Sequence, residues 1–502
     1  MRIIISVCLT LLFIPSICFA KPIEIRTDNF IIAGDVGEKD GQALLRDLEL
    51  FRKNMFKLLG VNEQPEIIPV KVYIAKNGKA LKGITGVGGF GGMYTMTHTG
   101  PAFVLDGKNG FKRGGGARHI ALHEYSHHIV SAYTELDYPL WYNEGYANYL
   151  ATFTYKKGTF RVGDPYDPYA RSLKQKNWMP MTVILSSVEK YPFNLGDTSK
   201  VGLQTKAQFY AQTWLAMHYL KNEAKYKGAL TDYVRRLNKG ERSLPAFKAA
   251  TGLTPEEFEA ELKAYFKKNR YSVTRFTTTD RDIPTPIVTK LTKQQVELVK
   301  LNAMKKFAFT DARRSEVLKA FDAYEAKYGV SAETLTGRAD LLAYNASTKE
   351  DYKSTRAIID KALELDPENA DANAVAAMII VHQKGRNLGA TSSDMKQARN
   401  YAKKALAQDS QMPLANYVYA LSFNGEGRPP KSALNAANYA LDYYRDKGFM
   451  GSNLGLASVL MNGEQYSDAI KPINRAISWG RDPAMRMAAQ SMRKYIEGET
   501  TP

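Results

Sequence analysis

The chain has 502 residues, with 69 Lys and Arg against 51 Asp and Glu, for a formal net charge of +18. Its only cysteines, Cys8 and Cys18, fall in the first 20 residues, so a chain cut after Ala20 has neither a disulfide nor a thiol for catalysis; about 480 residues bury an adequate core without them. The positive excess is spread along the sequence, with no dense basic run and no nucleic-acid motif, so nucleic acid is not an expected partner.

Met1-Arg2 precedes a mostly apolar run, Ile3–Ile14, and then Pro15–Ala20. One positive charge, a short apolar core and a small residue at the cut predict a secretory signal peptide over 1–20. The mature chain, with a charge of +17 once Arg2 is lost, is then exported, periplasmic or extracellular. Ile17 before Cys18 fits a lipoprotein signal poorly. No later stretch approaches the ~18 apolar residues of a spanning helix, so no transmembrane anchor is expected.

Residues 21–75 predict strands over Ile23–Arg26 and Phe30–Ala33, an amphipathic helix over Gln42–Leu59 and a strand over Val70–Ile74. The glycine-rich run Gly83–Gly92 has G-x-G-x-x-G-like spacings but no strand–turn–helix context, so it is a weak nucleotide signal. Two short strands follow, Met93–Thr97 and Ala102–Leu105. Glycine beside a strand permits close backbone approach, which suits an extended peptide docking by strand addition.

Ala117–Ser131 lacks Pro and Gly and predicts a helix. It contains His123-Glu124-Tyr125-Ser126-His127. Positions i and i+4 share a helix face, so His123 and His127 can aim both imidazoles at one Zn²⁺. Glu124 lies about 100° further round, too far to ligate on that face but within reach of a metal-held water. Tyr138-Pro139 breaks the chain, and Leu140–Phe153 predicts a second helix with Glu144 near its start, inside Trp141-Tyr142-Asn143-Glu144-Gly145-Tyr146-Ala147. A carboxylate there completes a two-His, one-Glu set and leaves a fourth position for water. His119 precedes His123 by one turn but lies about 12 Å along the axis from His127, too far to share the ion; helix-start hydrogen bonding or cleft lining is expected of it. His128 projects from another face and is read as structural or exposed. His98, His218 and His382 stand isolated in the sequence.

The H-E-x-x-H motif followed by W-x-N-E-G-x-A resembles the gluzincin metallopeptidases, particularly their aminopeptidase-like and "peptidase MA-like" branches. The resemblance implies His123, His127 and Glu144 as zinc ligands and Glu124 as the base acting on the water. Sixteen residues separate His127 from Glu144, where the aminopeptidases carry about eighteen, and a shorter loop accounts for that. A metzincin would need a third His at position 133, which is Tyr133. The stretch Ala207–Trp214 resembles the segment in which a Tyr at a helix start hydrogen-bonds the oxyanion, implicating Tyr210. The Gly-Ala-Met-Glu-Asn motif that grips a free N-terminus is absent; Gly92-Met93-Tyr94 is its nearest echo, which favours endopeptidase action.

Further helices are predicted from Ala207 through Tyr219-Leu220, and over Ala229–Leu237, Ala246–Gly252 and Thr254–Leu262, ending near Arg270. Thr274–Thr289 is rich in Thr, Pro and charge and predicts a linker. From about Lys293 the chain is helical, with Ala-Leu or Ala-Ile pairs at Ala362-Leu363, Ala405-Leu406, Ala440-Leu441 and Ala476-Ile477, in steps of 43, 35 and 36 residues. The Gly/Ser-rich insertion Lys384–Asp394 lengthens the first step. The unit is close to the roughly 34 residues of a tetratricopeptide repeat, which Ala362–Asn369 resembles; such repeats build a superhelix whose groove suits a protein partner.

The expected organisation is a signal peptide (1–20), an α+β gluzincin-type catalytic domain with a short sheet and a helical subdomain (21–273), a linker (274–292) and an all-α tetratricopeptide-like superhelix (293–502). The expected function is that of an exported zinc peptidase holding one Zn²⁺. Two alternatives stay open: a binding module in which the zinc fold is only a scaffold, and a zinc amidase acting on cell-wall material.

Overall fold

Period-2 alternation in the first hundred residues builds a sheet buried on both faces. In the computed structural model, which describes residues 22–499 apart from 112–114, 135, 176, 446 and 481, the strands are β1 (Ile23–Arg26), β2 (Phe30–Gly34), β3 (Val70–Ala75), β4 (Gly92–Thr97) and β5 (Gly100–Asp106). The expected signal peptide, with Cys8 and Cys18, lies outside the described residues. Val70, Val72 and Ile74 of β3 and Phe103 and Leu105 of β5 join the main core. Their alternates Tyr73, Ala75, Ala102 and Val104 join a second cluster on the opposite face. The main core also takes Leu44, Leu48 and Phe51 of α1 (Glu38–Leu59) and Ala121 and Tyr125 of α3 (Gly116–Tyr133). Leu81 and Ile84 of α2 (Gly78–Thr85) cover the opposite face.

The sheet is mixed. β2, β3 and β5 are parallel neighbours, β1 is antiparallel to β2, and β4 is antiparallel to β5 and forms one edge. A three-stranded antiparallel sheet pairs β6 (Thr154–Lys156), β7 (Thr159–Val162) and β8 (Thr274–Thr277). α4 (Leu140–Leu150) precedes β6, and between β7 and β8 run α5 (Asp167–Leu173), α6 (Met181–Ser186), α7 (Lys200–Asn222), α8 (Ala229–Asn238), α9 (Ser243–Thr251) and α10 (Pro255–Lys268). The glycine-rich run differs from expectation at its start, where α2 absorbs Gly83–Thr85 and Asn77 caps that helix.

The linker expected over 274–292 is instead structural. β8 closes the small sheet, and β9 (Ile287–Lys290) pairs antiparallel with β1 as the far edge of the large one. β-branched Thr, Ile287 and Val288 become strands once an open sheet edge lies within reach.

The rest is helical: α11 (Lys293–Lys306), α12 (Asp311–Tyr328), α13 (Ala332–Ala343), α14 (Lys349–Leu365), α15 (Ala370–Gly385), α16 (Ser392–Gln408), α17 (Pro413–Leu421), α18 (Lys431–Tyr443), α19 (Met450–Asn462), α20 (Tyr466–Trp479) and α21 (Pro483–Glu499). Ala362, Ala405, Ala440 and Ala476, the markers of the sequence period, fall on α14, α16, α18 and α20 and are wholly buried. Each packs in a pair with the helix before it.

Several contacts fasten this helical region to the first. Ala303 of α11 and Phe307 beyond it enter the cluster on the second sheet face, so α11 covers the sheet beside α2. Arg475 of α20 makes a bidentate pair with buried Asp137 at 2.6 Å on both arms. The turn between β4 and β5 inserts among helix ends. There the His98 ring lies 5.0–6.3 Å, centroid to centroid, from Phe449, Tyr444, Tyr417, His382 and Tyr344. The Tyr444 hydroxyl donates to the His98 carbonyl at 2.9 Å. The Lys306 ammonium is 3.0 Å from Thr97 Oγ1, Thr99 O, Thr99 Oγ1 and Gly100 O. His98 and His382, isolated in sequence, therefore meet, and the face offered by α13, α15 and α17 already holds a segment of this chain.

Beneath α3 lies a buried polar hub. Glu66 accepts from Tyr125 (2.9 Å) and Tyr133 (3.1 Å), faces His128 Nε2 (2.9 Å) and pairs with Arg52 (3.4 Å). Burial pushes the Glu66 carboxyl up, but His128 and Arg52 outweigh it and hold the group below its ordinary value. Glu66→Ala leaves the buried Arg52 guanidinium without this partner. The expected cost is about 3–5 kcal/mol of unfolding free energy, measured by urea titration.

Candidate metal centre

One helix sets two donors and a neighbour. His123 and His127 lie on the same face of α3, and their Nε2 atoms are 3.1 Å apart. The third donor comes from α4, where Glu144 is 3 % exposed and its Oε2 lies 3.2 Å from His123 Nε2 and 3.5 Å from His127 Nε2. These three are the group among the described residues with the donor types and spacing to hold a metal ion.

Tetrahedral donors with bonds of about 2.05 Å stand about 3.3 Å apart, in line with the observed separations. A triangle with these sides has a circumradius of about 1.9 Å, so one ion at that bond length would reach all three donors. Glu144 Oε2 is fully buried and accepts no hydrogen bond of normal geometry. A carboxylate oxygen buried in this way calls for a positively charged neighbour, and a metal ion would be one.

Electrostatics within the set agree. Burial pushes the Glu144 carboxyl up, but His127 and His123 overcome this and hold it well below the carboxylate range. Burial draws the His127 imidazole down, and the Glu144 carboxylate outweighs that, lifting it to about 9.

Gly145 explains how α4 delivers its carboxylate. A Cβ there would stand 2.5 Å from the Thr213 carbonyl oxygen, so α4 and α7 touch backbone to backbone. Asn148 of α4 fastens the same contact, its amide donating to the Tyr210 carbonyl at 3.1 Å. On the other side β4 presses on α3, where a Cβ on Gly92 would meet Ile120 Cγ2 at 2.4 Å.

Glu124 is 8 % exposed and lines the cleft beside His123, and the Tyr94 backbone N–H on β4 donates to its carboxylate. Burial raises its carboxyl, His123 and His127 oppose that, and Glu144 adds to it, for a net rise above the ordinary value. Tyr210 reaches the same space with its ring centroid 6.1 Å from that of His123. Burial and then the Glu144 and Glu124 carboxylates push its hydroxyl far up, so it remains a donor. It sits well inside α7, not at a helix start as expected from the resemblance, because the helix extends back to Lys200 from a Ser199 cap.

His119 lines the cleft as expected, stacked on Tyr166 at 3.8 Å and 3.1 Å from the Tyr169 hydroxyl. His128 is structural, held at the Glu66 hub. Sequence reasoning missed Tyr191. Its hydroxyl donates a short hydrogen bond to Glu144 Oε1, the oxygen turned away from the imidazoles, and it also contacts the Tyr210 hydroxyl. Nothing in the loop around Tyr191 sets it apart from the other tyrosines, of which the chain has 30. Tyr191→Phe is expected to weaken metal binding by about 10- to 100-fold, read by competition with a chromogenic chelator, because the ligand carboxylate loses the partner that orients it.

The cleft spreads on both sides of the triad, as adjoining cavities of about 540 and 590 Å³ that share His123, Glu124 and Tyr210. Compared with known proteins, the chain matches no family model and no curated protein.

Proposed function

We propose that the chain is an exported zinc-dependent peptidase of gluzincin type, cleaving within extended polypeptides, with tetratricopeptide-like repeats forming its helical region. The observation that carries this reading is the convergence of His123 Nε2, His127 Nε2 and Glu144 Oε2 on one point, with the Glu124 carboxylate beside it in an elongated cleft. Two imidazoles and a carboxylate with one position open are the donor set of catalytic zinc. Bound there, zinc would supply Lewis-acid polarisation of a water and of the scissile carbonyl.

The chain's own residues provide the rest. Glu124 accepts the proton of the attacking water and passes it to the leaving amine, a task suited to a carboxyl raised by its surroundings. The Tyr210 hydroxyl donates to the oxygen on which negative charge develops. Edge strand β4 offers backbone groups for pairing with an extended substrate. The cleft extends past the triad in both directions, which favours internal cleavage over trimming of an end. Export rests on the sequence of residues 1–20, and no helix among the described residues is long and apolar enough to cross a membrane.

The test is incubation with casein, mixed peptides and purified cell-wall polymer, with and without a chelator. Chelator-sensitive cleavage of casein supports the proposal. Cleavage confined to cell-wall polymer selects the amidase instead, and partner capture indifferent to chelator selects the binding module. Tyr210→Phe is expected to lower kcat by about 10²–10³ with little change in KM, since its hydrogen bond strengthens only as charge develops.

A further inference from the structure

Helical-region residues do not stop at the sheet; they reach the metal cleft. The elbow between α11 and α12 contributes Phe307, Phe309 and Thr310 to the cavity that contains His123, Glu124, His127 and Glu144, and the first turn of α12 adds Ala312 and Arg313. The elbow is anchored at both ends. Phe307 is wholly buried in the cluster on the second sheet face. The Arg313 guanidinium donates to the Gly83 and Ile84 carbonyls at 2.6 and 2.7 Å, gripping the C-terminal end of α2. The wall is therefore fixed and does not act as a swinging lid.

Its cleft-facing residues include the apolar Phe307, Phe309 and Ala312 beside the polar Thr310, Arg313 and Glu316. Phe309 is 53 % exposed, although an aromatic ring ordinarily seeks burial. Val87 and Leu195, also exposed, line the same cavity from two other elements, together with Phe90 and Met93. Exposed apolar side chains gathered from separate elements around one concave site mark where a ligand buries its own apolar surface. Phe309 and Tyr94 also line a neighbouring cavity of about 420 Å³ that follows β4 towards His98, where Lys305, Arg314 and Asp340 make the lining more polar.

We infer that the α11–α12 elbow is a specificity element of the cleft, with Phe309 seating a large aromatic or aliphatic side chain of an extended polypeptide bound along β4. The occupant is an unfolded or loop segment, because the strand edge must be approached by a free backbone. This rests on the peptidase reading for the cleavage readout but has a binding readout of its own.

The probes are labelled, unstructured Gly/Ser/Ala peptides differing only by one Phe or one Ala at a central position. They are given to the metal-loaded full chain for cleavage, and to its Glu124→Gln form for binding. The expected result is that the Phe peptide is bound and cleaved about tenfold better than the Ala peptide, with Phe309→Ala erasing the difference and Phe309→Leu largely keeping it. Phe309 is exposed, so these variants should fold, and their metal content should equal that of the parent. Equal treatment of the two peptides, or a preference that survives Phe309→Ala, overturns the inference. Discriminating binding without any cleavage sinks the hydrolytic reading and leaves the elbow's role standing; neither binding nor cleavage sinks both.

Discussion

Glu124→Gln is expected to hold its metal and to lose hydrolysis by about 10³-fold, within the range for removal of a positioned general base. The argument rests on the separation of duties along α3. His123 and His127 share the face that meets Glu144, while Glu124, one residue on, points into the cleft without joining the donor set. An amide matches the carboxylate in size, so packing against Tyr94 on β4 persists. It cannot accept a proton at neutral pH, so the water keeps it. The measurement pairs metal content per chain with cleavage of casein. Undiminished cleavage by the Glu124→Gln protein would end the catalytic assignment.

His123→Ala makes the complementary case: metal and activity should disappear together. Two of three donors remain, and His127 is left facing Glu144 as a simple ion pair. Affinity should fall by at least about a thousandfold, on the order of 4 kcal/mol. A second readout needs no substrate. Added zinc should raise the melting temperature of the parent, because it binds only the folded arrangement, and should leave that of His123→Ala nearly unmoved. Tight zinc binding by the variant would place the ion elsewhere.

Strand positions were legible where the pattern was local. β1 was expected at its observed bounds, and β2, β3, α3, α7, α8 and α10 differ at their ends, where caps such as Ser199 and Thr254 decide how far a helix runs. Expectations failed where a distant partner decided. The segment 274–292 has no strand signal strong enough to stand alone, and it becomes β8 and β9 because β7 and β1 offer open edges. α11 reads as the start of a separate helical domain but covers the second face of the sheet.

The same division runs through the site. The sequence determined that two imidazoles and a neighbouring carboxylate share one helix, because the 3.6-residue period fixes their relative directions before any folding partner is chosen. Only the tertiary structure decided that Glu144 Oε2 comes within 3.5 Å of both imidazoles, that Tyr191 braces its other oxygen, and that Phe309 reaches the cleft from the helical region. These meetings depend on how helices and loops far apart in the chain pack, as at the Gly145–Thr213 contact, and no local periodicity encodes that distance.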